Sequence, residues 1–406
     1  MKSKKILSAL ILSTIIFTSK ANAIDIDAQT NDLKKVWTIK FNKELNYNDL
    51  INDNITITDN DGNKVSTKII LKEGDTLNIL PPEEGYKDGQ VYKLNINENV
   101  ESKNLKGIKS PKDFTFKVDT TTKSFNNGSY KYKDLIEKTL EDGCNYILNK
   151  GIDTDWEIIA LVKNNKDIKN EYLETIREKI NDDQLIQPTD YQRTVMTLSA
   201  LNESPLNFEN INFIEKICNN EDTISQGSNA VIFALTALDT KNYSIPENSY
   251  FTRESLVDTL LKMKTDDGGW DFAGVKADPD MTGMAITALS NYKDDAKVKN
   301  SIDNAIKLLS NMQNENGTMS SFKIENSESI SQTIIGLCAN GIDPTSKEFT
   351  KGGKNLIDAL LTFKTSENGF SHIHNGRANE KATEQALLAL ESYRELKNGR
   401  NHIYKF

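Results

Sequence analysis

Lys262-Met263-Lys264-Thr265-Asp266-Asp267-Gly268-Gly269-Trp270 is the stretch that decides the fold. It closes an amphipathic run with a glycine pair and an aromatic residue. Two echoes follow, Glu315-Asn316-Gly317-Thr318-Met319 and Glu367-Asn368-Gly369-Phe370. Each places Gly where a helix end needs positive φ, then an apolar plug. The same loop met three times at the end of a similar segment points to a repeat architecture.

The flanking segments agree. Runs rich in Ala and Leu that begin on polar residues occupy 155–161, 190–201, 228–238, 280–289, 329–339 and 382–390. Amphipathic segments lie beside them at 130–149, 169–181, 207–219, 253–265, 299–313 and 352–364. Small, apolar helices alternating with amphipathic ones predict two layers, the apolar set inside. Six hairpins of this kind predict an all-α (α/α)6 toroid over 129–406 with a central cavity.

Upstream the period changes from 3.6 to two. Val36-Trp37-Thr38-Ile39-Lys40-Phe41, Tyr92-Lys93-Leu94-Asn95-Ile96 and Phe114-Thr115-Phe116-Lys117-Val118 alternate in polarity. Turn residues at Asp59-Asn60-Asp61-Gly62-Asn63, Pro81-Pro82 and Asp88-Gly89 separate such runs. About seven short strands predict an N-terminal all-β sandwich over 24–119, with a polar linker at 120–128. The segment resembles the Ig-like modules of bacterial surface-layer and cell-wall proteins, which implies a spacer or adhesive unit.

Residues 1–23 read as a signal peptide. Lys2, Lys4 and Lys5 precede an apolar run of about a dozen residues, and Ala21-Asn22-Ala23 supplies small residues at the cleavage positions. No later run is apolar enough to span a membrane. The expectation is a secreted protein, held at the cell surface, if at all, by non-covalent contacts. The 406-residue chain carries a formal charge of −9, and its first 23 residues hold Lys but no acid, so the rest is more acidic still. That balance excludes general nucleic-acid binding. Three Cys and three His are too few for a disulfide scaffold or a multi-zinc protein.

The Gly-Gly-Trp loop and its echoes resemble the Q-x-x-x-G-x-W repeats of squalene cyclases and protein prenyltransferases. The order of hairpins is also similar to the toroidal domain of the cobalamin carriers and their bacterial surface relatives. The first resemblance implies a terpenoid-cyclase-type toroid. The second implies that cobalamin or another small ligand is a possible occupant; no cofactor is read from the residues themselves.

Asp278-Pro279-Asp280-Met281-Thr282 resembles the Asp-x-Asp-Asp-Thr acid motif of class II terpene cyclases, with Asp280 as proton donor and Asp278 as its neighbour. Met281 stands where that family has its third Asp. The competing reading is a helix cap. Trp156, Asp190, Tyr191, Arg193, Asn229, Trp270, Gln332, Glu384 and Gln385 are candidate ligand-binding residues, being polar or aromatic groups near inner helix starts. His372-Ile373-His374 is a weak metal signal, and no metal site is assigned. The expectation leans away from catalysis: a toroid that binds a small molecule or a cell-surface protein. A class II isoprenoid cyclase using Asp280 is the alternative, and a structural or adhesive role the third.

Overall fold

The computed structural model describes residues 28–30, 33–41, 43–46, 51–103, 112–118, 130–272, 274–400 and 402–406. The expected signal peptide lies outside them, as does the expected linker. The chain divides into two compact units, 1–123 and 124–406.

The first unit contains β1 (Ala28–Thr30), β2 (Trp37–Lys40), the one-turn helix α1 (Ile51–Asn54), β3 (Ile55–Asp59), β4 (Lys64–Val65), β5 (Lys68–Glu73), β6 (Thr76–Leu80), β7 (Val91–Ile96) and β8 (Lys112–Val118). One sheet runs β1-β8-β7-β3-β4 and the other β2-β6-β5. β1 lies parallel to β8, while the remaining pairs are antiparallel. Ile57, Leu77, Ile79, Tyr92 and Phe116 form the buried core, and Trp37 packs 4.6 Å from Phe116. The Asp59 turn is held by its own carboxylate, which accepts from the backbone N–H groups of Asp61 and Asn63. Those bonds, led by Asn63, hold the Asp59 carboxyl below its ordinary value.

The second unit alternates outer and inner helices. They are α2 (Lys133–Lys150), α3 (Asp155–Lys163), α4 (Lys169–Asn181), α5 (Pro188–Ala200), α6 (Phe213–Cys218), α7 (Ser228–Asp239), α8 (Arg253–Lys262), α9 (Pro279–Leu289), α10 (Ala296–Met312), α11 (Ser327–Ala339), α12 (Leu356–Leu361) and α13 (Glu380–Lys397). The odd-numbered helices pack in the order α3-α5-α7-α9-α11-α13 and back to α3, a closed ring. The even-numbered helices lie against the outside of their neighbours; Tyr172 on α4, for example, donates its hydroxyl to Asp155 of α3 (2.6 Å). The unit is an α/α toroid.

The expected pairing of an all-β Ig-like sandwich with an all-α toroid is corrected on both sides. The first unit includes α1 and a mixed sheet with a parallel edge pair. Alternation reports which side chains share a face; it does not report which strands pair. The second unit carries two short hairpins, β9 (Ser320–Ser321) with β10 (Ile324–Glu325) and β11 (Thr350–Lys351) with β12 (Lys354–Asn355). Both sit in loops that lead into a helix, where a tight turn brings a few backbone groups into register.

Two features of the inner helices allow the ring to close. Their buried hydroxyls bond to the carbonyl four residues back, as Thr236 does to Ile232, Thr287 to Gly283 and Thr333 to Ser329, each 2.8 Å. A polar side chain is thereby buried without an unmet donor. At the α9–α11 contact the backbones touch. A Cβ on Gly336 would lie 2.6 Å from the Gly283 carbonyl oxygen, and one on Gly283 would lie 2.3 Å from that of Gln332. Gly336→Ala should therefore cost about 1–3 kcal/mol through overpacking, read as a drop in urea midpoint. No change would mean that the helices can part freely.

The three repeated loops share one geometry. Thr265, Asn314 and Thr365 donate backbone N–H to the carbonyls of Gly269, Thr318 and Gly369, all at 2.9 Å. Positive φ falls on Gly268 (95°), Gly317 (87°) and Asn368 (71°). The preceding helices end at Lys262, Met312 and Leu361, so these are tight turns beyond the helix end rather than the caps themselves. Trp270, Met319 and Phe370 are the fully buried plugs.

Candidate active site at the ring mouth

All six inner helices begin at one end of the ring. Local chemistry sets these starts. Thr154 and Glu157 form a capping box on α3, Asn326 caps α11, and Asn379 caps α13. Asp278 caps α9, its Oδ1 accepting from the backbone N–H of Asp280 (2.9 Å) and Met281 (3.2 Å). Its other oxygen accepts the Ser321 hydroxyl. Asp278 is thus the cap, and Asp280 is left for other work.

Asp280 Oδ1 is buried and has no hydrogen-bond partner in the structure, and the same is true of the Ser329 hydroxyl. Burial, then the charges of Asp278 and Glu328, push the Asp280 carboxyl up to about 7. Ser329 and Lys381 temper that rise; Ser329 stands close, though outside hydrogen-bonding geometry. Glu384 on α13 is the second such acid. It is buried, accepts the Thr154 hydroxyl, and is pushed up to about 8 by burial, then by Glu157 and Asp155. Lys381 pulls against this rise too. A carboxyl group near half-protonation at neutral pH can both give and take a proton.

These shifts have a consequence for stability. Both acids hold the proton more tightly folded than unfolded. Their contribution is fully present below the ordinary values of 3.8 and 4.5, and it is lost as pH rises through about 7 and 8. Wild type should therefore lose stability relative to Glu384→Gln between pH 5 and 8, by up to about 1.4 kcal/mol per pH unit. Urea denaturation of both proteins at pH 5, 6.5 and 8 reads this. A difference that is constant with pH would contradict it.

One helical turn below these carboxyls lies a cavity of about 80 Å³. Trp156, Ile232, Phe233, Thr236, Met284, Thr287, Gln332, Gln385, Leu388 and Tyr404 line it. Trp156 packs 5.1 Å from Phe233 and 5.9 Å from Tyr404. The C-terminal residues close the far end: Lys163 Nζ donates to the Lys405 carbonyl (2.8 Å), and the Phe406 N–H to that of Thr240 (3.3 Å). A polyprene or a corrinoid needs far more room, since pockets for drug-sized ligands run to roughly 300–1,000 Å³. The ring interior does not fit cobalamin, and no step is assigned to it.

The other residues singled out in the sequence take various places. Gln332 and Gln385 meet in the cavity, amide to amide, at 3.1 Å. Arg193 bridges Asp190 (2.7 Å) and Asp155 (3.3 Å) at the mouth. Asp190 also caps α5, accepting from the N–H groups of Ile186 and Gln187. Tyr191 donates to the carbonyl of Leu185, in the loop before α5, and packs on Phe213 at the start of α6. Asn229 stands partly exposed on the first turn of α7. Trp270 lines no part of this cavity; it is wholly buried, and its indole N–H bonds the Leu260 carbonyl (2.8 Å). His372 Nδ1 meets Glu328 at 2.8 Å, while His374 stacks on Phe363. Among the described residues no cluster of three or more His, Cys, Asp and Glu is placed to hold a metal. The three cysteines are buried free thiols, raised well above their ordinary value by burial.

Phe233, Met284, Leu388 and Tyr404 escaped the sequence reading. Met284 and Leu388 carried a signal, since each lies four residues after a key acid and so on the same helix face. Tyr404 carried none, because its place depends on the tail folding back.

No family description and no curated protein matches this chain. Among solved structures, a family 76 glycoside hydrolase from a bovine Bacteroides thetaiotaomicron strain aligns over 89% of this chain and 96% of its own, with 7% identity and a TM-score of 0.40. A polysaccharide lyase aligns over 92% of this chain and 54% of its own, with 11% identity and a TM-score of 0.27. Scores this low carry no function across.

The expectation that leaned away from catalysis, with a terpene cyclase as its alternative, is corrected. An 80 Å³ cavity is too small for the cyclase substrate. The mouth nevertheless holds two acids, half-buried Asp280 and buried Glu384, whose carboxyls are pushed up toward neutral pH.

Proposed function

We propose that this protein is a glycan-active enzyme whose reaction site is the carboxyl tier at the ring mouth. The observation that carries the reading is a pair of acids at the ring mouth, half-buried Asp280 on α9 and buried Glu384 on α13, both holding protons near neutral pH. Cleavage of a glycosidic bond needs a protonated carboxyl for the leaving oxygen and negative charge to steady the developing cation. Asp280 supplies the proton; the charge of Asp278 lies beside it. Arg193, Ser329, Gln332 and Gln385 give the mouth and cavity a polar lining suited to hydroxyl-rich ligands.

The rim supports the same reading. Phe272 and Val275 stand on the loop before α9, Phe322 at the tip of the β9–β10 hairpin, and Ile373 on the loop before α13. Phe322 is 90% exposed and Phe272 61%. Exposed apolar groups on loops leading into the inner helices suit an interaction surface, and aromatic faces suit the C–H faces of sugar rings. A surface-protein partner on this rim is the second reading, favoured by the same side chains. We also propose export, from the signal-peptide pattern of residues 1–23, which would bring the protein to extracellular glycans.

The test incubates purified protein with a panel of oligosaccharides of differing backbone and follows new reducing ends or unsaturated products. Turnover that disappears in both Asp280→Asn and Glu384→Gln supports the proposal. Absence of turnover and of binding across the panel overturns it.

A further inference from the structure

We infer that the cavity below the carboxyl tier is a pocket for an acetamido group, so that the ligand is an N-acetylated amino sugar. The inference rests on the glycan reading above and narrows it. Size is the first constraint. A water needs about 10–15 Å³ of such space, so a cavity of about 80 Å³ holds several waters and has room for a group of four non-hydrogen atoms. An acetamido group is a nitrogen, a carbonyl carbon, an oxygen and a methyl.

Lining chemistry is the second constraint. Trp156, Phe233, Met284 and Leu388 make apolar walls that suit a methyl group. Gln332 and Gln385 bond to each other through one N–H and one carbonyl. The pair keeps an amide carbonyl and amide N–H groups for a third amide, which presents both a donor and an acceptor. A hydroxymethyl would leave the apolar wall unfilled. A carboxylate would stand below Asp280 and Glu384, and an ammonium would lose its water against Trp156 and Met284.

Position is the third. Met284 follows Asp280 by four residues and Leu388 follows Glu384 by four, so the cavity sits one helical turn beneath the acids. Gln385 is the immediate neighbour of Glu384. In a 2-acetamido sugar the acetamido carbon is next to the anomeric carbon. Seating that group in the cavity sets the glycosidic bond beside the carboxyl tier.

The test is calorimetric titration of the full chain with three trimers: N-acetylglucosamine, its deacetylated form, and glucose. The expected result is at least tenfold tighter binding of the acetylated trimer. Attraction of amines to the acidic mouth would favour the deacetylated one, so the preference is diagnostic. Gln332→Leu and Gln385→Leu, checked for unchanged circular dichroism, should each erase the preference for the acetylated trimer over the glucose trimer. The wild-type comparison stands even if either variant fails to fold. Equal binding of the acetylated and glucose trimers, or tighter binding of the deacetylated one, overturns the acetamido pocket and leaves the glycan reading in place. No binding of any trimer, together with a blank oligosaccharide panel, overturns both.

Discussion

Asp280→Asn should lower kcat/KM on the best oligosaccharide by roughly 10²–10⁴, the usual contribution of a positioned general acid. The change keeps the shape of the side chain and removes only its proton. Asp280 does not cap its helix, because Asp278 already accepts from the first free N–H groups of α9. Asp280 Oδ1 has no partner to lose. The melting temperature should therefore stay within a few degrees of wild type, and the loss should fall on turnover. Wild-type rate should also decline as pH rises above about 7, as the acid gives up its proton. A fall of less than threefold, with unchanged pH dependence, would remove Asp280 from the reaction.

Trp270→Ala should destabilise the toroid by about 3–5 kcal/mol, the range for emptying a large buried aromatic site. Trp270 is fully buried, its indole N–H meets the Leu260 carbonyl, and its backbone N–H is donated to the Thr282 hydroxyl (3.0 Å). The side chain thus holds the end of outer helix α8, and the backbone of the same residue holds the start of inner helix α9. Its loss leaves a cavity and removes the indole bond to the Leu260 carbonyl at a joint of the ring. Urea unfolding followed by far-ultraviolet circular dichroism reads the change. A cost below about 1 kcal/mol would mean that the repeated loops do not hold the hairpins together.

The loops were the most legible part of the sequence, for a physical reason. Gly268, Gly317 and Asn368 occupy the same left-handed position, and the plug follows two residues later each time. A short motif of this kind reports its geometry directly. The alternating apolar pattern around Ile57, Leu77 and Phe116 located strands in the first unit, but pairing depends on distant partners. The parallel β1–β8 edge and the single turn of α1 left no local mark.

The candidate site was legible in its acids. Asp278, Asp280 and Glu384 stood out because carboxyls at the start of apolar helices are conspicuous. Their division of labour was not. Which of the two aspartates caps α9 is settled by backbone direction over three residues, and the sequence allows either. Trp270 offered two readings, loop plug and lining residue, and it is the plug, because its indole turns into the α8–α9 loop toward the Leu260 carbonyl. The cavity's size had no sequence signal at all. It depends on how closely Gly283 and Gly336 bring two backbones together and on Tyr404 entering from the tail.

The central claim is that two acids at the ring mouth hold protons at neutral pH. Carbon-detected NMR titration of the carboxyl carbons, with Asp and Glu labelled, measures this directly. The account predicts one Asp resonance titrating near 7, absent in Asp280→Asn, and one Glu resonance near 8, absent in Glu384→Gln. If both resonances titrate below pH 5, the mouth holds ordinary carboxylates and the account is contradicted.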